Sequence, residues 1–334
     1  MKHPLYLKKI TKKFIHFFTV RKTVVFLLLS LKIFFLALFI YTSLHLEIPT
    51  KEDCFSFYFK EQKKDLKYLL AKCIKEAKQS IYLSSFGLND IDIIRLLEEQ
   101  SNHIPIKIAY DPKEKTLLPK KDHIETIPYT KGGLMHRKFI GIDKSLILIG
   151  STNITPLALK IHKNLVVCIR STKLYEAIES NQTIENEIYS FYPLPQSKNE
   201  ALKKLLETIT TAKKQIYVCM YTFTHEELAK ALVDAFKRGV DVRVYMDRGM
   251  ASGVSEKIAN YLKSEHVFVQ THLGLGLLHH KCAFVDDTFI FGSANWTKAA
   301  FSRNEEYLLF LHRLTKKEIS KISKFFTYTE KTSI

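Results

Sequence analysis

The sequence predicts an α/β fold built from two related halves, preceded by a membrane-spanning helix. Three observations predict it: a β-α-β pattern that occurs twice, a polar motif that follows each copy, and a long apolar run near the amino terminus. The first copy, "AKQSIYLSSFGLNDIDIIRLLEEQSNHIPIKIAYD", covers residues 77–111, and the second, "AKKQIYVCMYTFTHEELAKALVDAFKRGVDVRVYMD", covers residues 212–247. Each has a β-rich run ("SIYLSSF", "QIYVCMYTF"), a segment with apolar residues at helical spacing, and a second β-rich run ("IPIKIAYD", "VDVRVYMD"). The helical positions are Ile93, Ile94, Leu96 and Leu97 in one copy, and Leu228, Ala231, Leu232, Ala235 and Phe236 in the other. Gly239 stands where a helix C-cap belongs. The order β-α-β implies a parallel or mixed sheet with helices on its faces.

Each copy leads into the same motif. "LMHRKFIGIDK", residues 134–144, and "LLHHKCAFVDD", residues 277–287, both contain His, any residue, Lys, four residues and Asp. The motif residues are His136, Lys138 and Asp143, then His279, Lys281 and Asp286. Two short strands around a turn follow, and each ends in Gly-Ser-x-Asn: Gly150, Ser151 and Asn153, then Gly292, Ser293 and Asn295. Side chains alternate along a strand, so each His and Lys share a face, as do each Ser and Asn. His280 points the other way and has no catalytic role in this reading. Each half therefore offers an imidazole, an ammonium, a hydroxyl and an amide. Such donor-rich groups without a carboxylate cluster suit a phosphate oxyanion and imply neither metal nor cofactor. Two halves about a pseudo-twofold axis would bring both histidines to one phosphorus, one as nucleophile and one as acid. Asp143 and Asp286 are read as turn-holding residues, and Trp296 as packing.

Composition sets the outer limits. The 334 residues are 46% hydrophobic, enough for a packed core, and the net charge of +17 favours an anionic partner. Residues 1–46 hold eight Lys or Arg and no acid; removing those eight leaves +9 on the rest. Five scattered cysteines, without a CxxC pair, speak against a zinc site or a disulfide framework. Cys282 reads as a small buried hydrophobe.

Val24 to Leu44 is a run of 21 residues, matching the length of a bilayer-crossing helix. Lys32 inside it costs roughly 2.5–3.5 kcal/mol on insertion, which the surrounding Leu, Ile and Phe offset. The expected organisation is a basic cytoplasmic flank (1–22), an anchor or signal segment (23–46), a first half (50–190) and a second half (191–334). "FYPLPQSKNE", residues 191–200, is the expected linker. Lys and Arg ahead of the anchor place the body outside the cytoplasm. A secreted form after signal cleavage is the alternative.

The paired HxKx4D and GSxN motifs, with "RGVDVRVYMD" and "GSANWT", resemble the phospholipase D superfamily from about Lys64 to Leu311. The resemblance implies two α-β-α sandwich halves and phosphodiester transfer through a phospho-histidine. It also implies an acidic residue about eleven positions beyond the GSxN asparagine, hydrogen-bonded to the catalytic His. In the second half this is Glu306; in the first half the same offset lands on Asn164. Glu306 is accordingly expected to back His279 as the protonated acid, leaving His136 neutral as the nucleophile.

The substrate stays open at this point. Leu275, Leu277 and Leu278 beside the second motif suit acyl chains and a phospholipid at a membrane surface. Tyr221, Phe223 and the basic body suit a nucleic acid. A non-catalytic binder of an anionic ligand is the third reading, which Asn164 keeps alive.

Overall fold

The structure, a computed structural model, describes residues 25–36, 46–62 and 65–334. The chain divides into two units, Met1–Glu47 and Ile48–Ile334. In the first, residues 25–36 are helical with exposed side chains. The basic flank 1–22 and part of the expected anchor 23–46 lie outside the described residues. Among the described residues, no helix is long and apolar enough to cross a membrane.

The second unit contains two sheets. The first holds β1 (Cys54–Phe59), β2 (Ile81–Ser85), β3 (Ile106–Tyr110), β4 (Ile124–Pro128), β5 (Lys138–Ile142), β6 (Leu146–Gly150) and β7 (Leu165–Arg170), in the order β1-β7-β6-β5-β2-β3-β4. The second holds β8 (Ile184–Glu185), β9 (Tyr189–Leu194), β10 (Gln215–Met220), β11 (Asp241–Met246), β12 (Phe268–Thr271), β13 (Lys281–Val285), β14 (Thr288–Gly292) and β15 (Glu306–Leu311). Its order, β12-β11-β10-β13-β14-β15-β9-β8, is the first sheet read backwards with β8 added at one edge. The register repeats as well: Ser85 lies opposite Lys138, and Met220 opposite Lys281. Both predicted β-α-β units are present, with β2 parallel to β3 and β10 parallel to β11.

One boundary differs from the sequence reading. The segment taken as the start of a linker continues β9 as far as Leu194, and β8 and β9 both belong to the second sheet. The second sheet thus takes up the chain at Ile184, ahead of the expected boundary at residue 191. Tyr189, Phe191, Tyr192 and Leu194 are buried, and their aromatic content outweighs the proline and serine that follow.

Helices Leu66–Glu76 and Ile91–Gln100 belong to the first half, and Glu200–Thr211, Glu226–Lys237 and Glu256–Ser264 cover the outer face of the second sheet. Asp65 and Asp90 cap the first two by accepting the backbone N–H groups of Tyr68 and Ile93. The inner faces of the two sheets share one core, with Phe139, Ile147 and Val167 from one side and Phe284, Phe289 and Phe291 from the other. The carboxy-terminal helix Lys316–Lys331 starts at a Thr315–Glu318 capping box and adds Ile322, Phe325 and Phe326 to that core. Cys282 and Trp296 are buried packing residues, as read.

Asp143 and Asp286 hold the turns after the two motif strands. Both adopt positive φ, 51° and 52°. The Asp143 carboxylate accepts the N–H groups of Lys78, Gln79 and Ser80, and Asp286 accepts those of Lys213, Lys214 and Gln215. Each thereby ties a motif hairpin to the helix-to-strand corner of its own half. Burial works to raise the Asp286 carboxyl, but the three N–H donors overcome it and hold the group below its ordinary 3.8. Its stabilising contribution is therefore present above that value and disappears as pH falls through the lower folded value. Asp286→Asn keeps a residue that tolerates positive φ but removes one acceptor oxygen and the charge. It should cost about 1–3 kcal/mol in urea unfolding at neutral pH, with the difference from wild type shrinking toward pH 3.

Candidate active site

The two motifs are held together by an exchange between the halves. Ahead of β5, Met135 bridges Glu305; the N–H of His136 reaches the Glu305 carbonyl at 2.8 Å, and the N–H of Glu305 reaches that of Leu134 at 2.7 Å. Ahead of β13, Leu278 bridges Lys163; the N–H of His279 reaches the Lys163 carbonyl at 2.9 Å, and the N–H of Lys163 reaches that of Leu277 at 2.8 Å. Each histidine thus enters alongside the segment that carries the other half's orienting residue.

The side chains repeat the exchange. His136 Nδ1 lies 2.8 and 2.9 Å from the two Glu306 oxygens. His279 Nδ1 lies 3.0 Å from Asn164 Oδ1. This reverses the pairing expected from sequence offset: Glu306 backs His136, and Asn164 backs His279. The physical reason is the exchange itself, because each residue sits eleven positions beyond its own asparagine yet faces the opposite half. With both Nδ1 atoms engaged, Nε2 is the nitrogen each ring has left for a substrate.

Glycine makes the close packing possible. A Cβ on Gly150 would stand 2.1 Å from the Leu165 carbonyl oxygen, and one on Gly292 would stand 2.2 Å from that of Tyr307. Any side chain at either position would push the strand bearing Asn164 or Glu306 away. The serines beside them are buried and already committed, which corrects their expected place facing substrate. Ser151 donates to Asn164 Oδ1 at 2.9 Å and accepts the Leu165 N–H. Ser293 accepts the Tyr307 N–H at 3.1 Å. Asn153 and Asn295 are only partly buried; Asn295 Oδ1 accepts the Thr222 N–H, and Asn153 Oδ1 has no hydrogen-bond partner among the described residues.

Lys138 and Lys281 each donate to the carbonyl of their own histidine, at 2.6 and 2.9 Å. Both are buried. Burial brings Lys138 down to about 7 and holds Lys281 well below its usual range, with Lys138 adding to the effect on Lys281. Burial also lowers both imidazoles. Glu306 opposes this at His136, whereas His279 has an amide partner and is depressed further by Lys281, Lys138 and His136. The two His–Lys pairs therefore occupy one electrostatic site, in which an anion would restore the positive charges.

Several contributors were not singled out in the sequence, and Tyr221 was singled out only as a residue to stack on bases. Phe86 and Tyr221, at matching positions after β2 and β10, place their rings 5.1 and 4.8 Å from His136 and His279. They also lie 5.4 and 4.9 Å from the Lys138 and Lys281 ammonium groups. Asp111 and Asp247, the last residues of the two repeats, accept the N–H groups of Met135 and Leu278 just ahead of the histidines. Their matching places in the two copies were the available signal. The Tyr307 hydroxyl lies 2.5 Å from the Lys138 carbonyl and accepts the Gly150 N–H, a link from β15 into the first sheet. His280 faces away from the site, as read, and pairs with buried Glu61 at 2.6 Å. Phe223 is fully buried against Trp296, so it is no base-stacking platform.

The fold and site define a two-lobed protein in which each half supplies one His–Lys pair and orients the histidine of the other. The chain belongs to the phospholipase D-like family: the family described as "Cardiolipin synthase, PLD-like domain" matches residues 70–183 and again residues 205–329. The chain is 36% identical over 118 residues to a mitochondrial cardiolipin hydrolase of Xenopus laevis, a match covering 35% of this chain and 55% of that protein. It is 30% identical over 110 residues to a phospholipase D of Rickettsia bellii, covering 32% and 53% respectively. The chain thus spans about half the length of these curated relatives. A solved structure, phosphatidylserine synthase of Haemophilus influenzae Rd KW20, shares the fold with a TM-score of 0.69, covering 88% of this chain and 90% of that one at 12% identity.

The crossed pairing predicts separable pH effects. Glu306→Gln should lower kcat by roughly 10²–10⁴-fold and shift the acid limb of the rate profile to lower pH, because His136 loses the charge that raises it. Asn164→Asp should raise His279 and move the alkaline limb to higher pH. pH profiles of kcat/KM for the two variants check both; an Asn164→Asp shift confined to the acid limb would reverse the roles of the two rings.

Proposed function

We propose that the chain is a phosphodiesterase of phospholipase D type that acts on phospholipids at a membrane surface, by hydrolysis or by transfer to an alcohol. The observation that carries this reading is the crossed pair, His136 on Glu306 and His279 on Asn164, with a buried lysine beside each ring. The anionic diester lies between the rings and raises both of them. His136 Nε2 attacks phosphorus, and the bond from phosphorus to the leaving alkoxide breaks. His279 supplies the proton that the alkoxide takes. Water or an alcohol then attacks phosphorus, gives its proton to His279 Nε2, and the P–N bond breaks.

Glu306 favours His136 as nucleophile, though for a different reason than sequence offset suggests. Phosphorylation at Nε2 with Nδ1–H retained leaves the ring cationic. The step therefore moves positive charge from His279, which faces an amide, to His136, which faces a carboxylate. Lys138 and Lys281 oppose the charge on the non-bridging oxygens. Asn153 and Asn295 supply amides at the edge of the site.

Three features support a lipid over a nucleic acid. Leu275, in the segment leading to His279, is 90% exposed. Phe223 is unavailable to bases. The 21-residue apolar run behind a basic flank suits a single-pass anchor with the body outside the cytoplasm.

The covalent step is tested with an activated diester whose leaving group needs no proton. Enzyme quenched in alkaline denaturant, which preserves the acid-labile P–N bond, should carry the phosphoryl group on histidine in wild type and His279→Ala, and none in His136→Ala. An adduct that survives His136→Ala and vanishes in His279→Ala reverses the assignment. The substrate is tested by giving the full chain phosphatidylcholine vesicles, cardiolipin vesicles or plasmid DNA, each with EDTA. Phosphatidate or free headgroup release is expected; nicked DNA without lipid turnover assigns the site to nucleic acid instead.

A further inference from the structure

The pseudo-twofold axis relates the two edges of the site position by position, and they are chemically unlike. Gly276 abuts Ile161, whose Cγ2 would lie 2.8 Å from a Cβ at that glycine; Gly133 abuts Arg303 in the same manner. Leu277 donates its N–H to His162 Nδ1, and Leu134 donates to Asn304 Oδ1. The helices Pro156–Lys160 and Lys298–Ser302 begin alike, capped by Thr155 and Thr297. Within this frame, Leu275 corresponds to Gly132, Leu157 to Ala299, and Ile161 to Arg303.

The edge beside His279 exposes branched aliphatics, with the exposed Lys160 between two of them in sequence. Leu275 is 90% exposed, Leu157 60% and Ile161 45%. The last two lie one helical turn apart, joined by the bond from the Ile161 N–H to the Leu157 carbonyl. The edge beside His136 is basic, with exposed Lys131, Lys298 and Arg303. Glu305, next in the chain after Asn304, is paired with Arg137 at 3.2 Å.

We propose that these edges form a membrane-docking surface in which Leu157, Ile161 and Leu275 enter the acyl region of an anionic bilayer while Lys131, Lys298 and Arg303 meet its headgroup phosphates. The inference rests on the lipid reading above and adds how the site meets its substrate. Exposed branched aliphatics gain by leaving water for hydrocarbon, and the basic edge is complementary to an anionic headgroup layer. A nucleic-acid strand crossing the site would pass both edges and gain nothing from the first, since aliphatic side chains offer bases no stacking face.

The test uses the full chain with a depth reporter at each edge. Trp296 is buried, so its background is constant, and a Cβ at Gly132 meets no atom within 4 Å, so a side chain fits there. Leu275→Trp and Gly132→Trp are mixed with phosphatidylglycerol-containing vesicles whose acyl chains carry bromine. Quenching at position 275 should be severalfold that at 132 and should weaken when the vesicles contain only phosphatidylcholine. Separately, the Leu157→Ser, Leu275→Ser double variant should lose roughly tenfold or more in turnover of vesicular lipid, while a soluble short diester is hydrolysed within about twofold of wild type. Equal quenching at both positions, or equal loss on vesicles and soluble diester, overturns the docking surface. Lipid turnover without quenching at 275 overturns it alone; quenching at 275 with DNA cleavage and no lipid turnover overturns the substrate assignment and leaves the surface standing.

Discussion

The structure depends on one reciprocal constraint: each half orients the histidine that the other half contributes. His136 is fixed by Glu306 and His279 by Asn164, and the backbone of each lead-in segment is bonded beside the residue that does the fixing. Neither half alone can set the direction of its own ring. The shared inner core gives this exchange its precision, because Phe139 and Ile147 on one sheet pack in the same cluster as Phe284 and Phe291 on the other. A displacement of one half would alter both imidazoles together.

Seen from this constraint, the motif residues sort by what they touch. The aspartates of HxKx4D brace hairpins against helix corners through backbone N–H groups, and neither is bonded to the histidine or lysine of its own motif. The glycines and serines of GSxN bring up the strand that carries the opposite half's partner. Only the histidines, the lysines and the asparagines are placed for a ligand. The motif is as much a specification for joining two halves as for chemistry.

Much of this was legible in the chain. The two β-α-β units, the paired hairpins and the turn role of Asp143 and Asp286 follow from alternation, helical spacing and duplication. The crossed partnership was not legible, because an offset along the chain says nothing about which half a strand end faces. The same limit hid β9: a proline- and serine-containing stretch reads as a linker until Tyr189, Phe191 and Tyr192 are seen filling a core from another sheet's edge. Phe86 escaped notice because a single aromatic at a strand end carries no signal of its own. Glu61 and His280 lie 219 residues apart, and no local pattern could have joined them.

The electrostatics explain why the duplication need not be symmetric. Two imidazoles and two ammonium groups are buried near one another, with Glu306 the carboxylate bonded to one of the rings, so each disfavours charge on its neighbours. Burial accordingly lowers all four, with Lys138 reaching about 7. A second carboxylate at position 164 would relieve that repulsion, but it would also pair the ring that the proposed mechanism assigns as the acid. With an amide there, the partner of His279 carries no negative charge to hold its proton, and in the proposed reaction the diester supplies one. In the proposed reaction, ligand binding and proton uptake would form a single linked event, with the acid charged when a phosphate diester is bound.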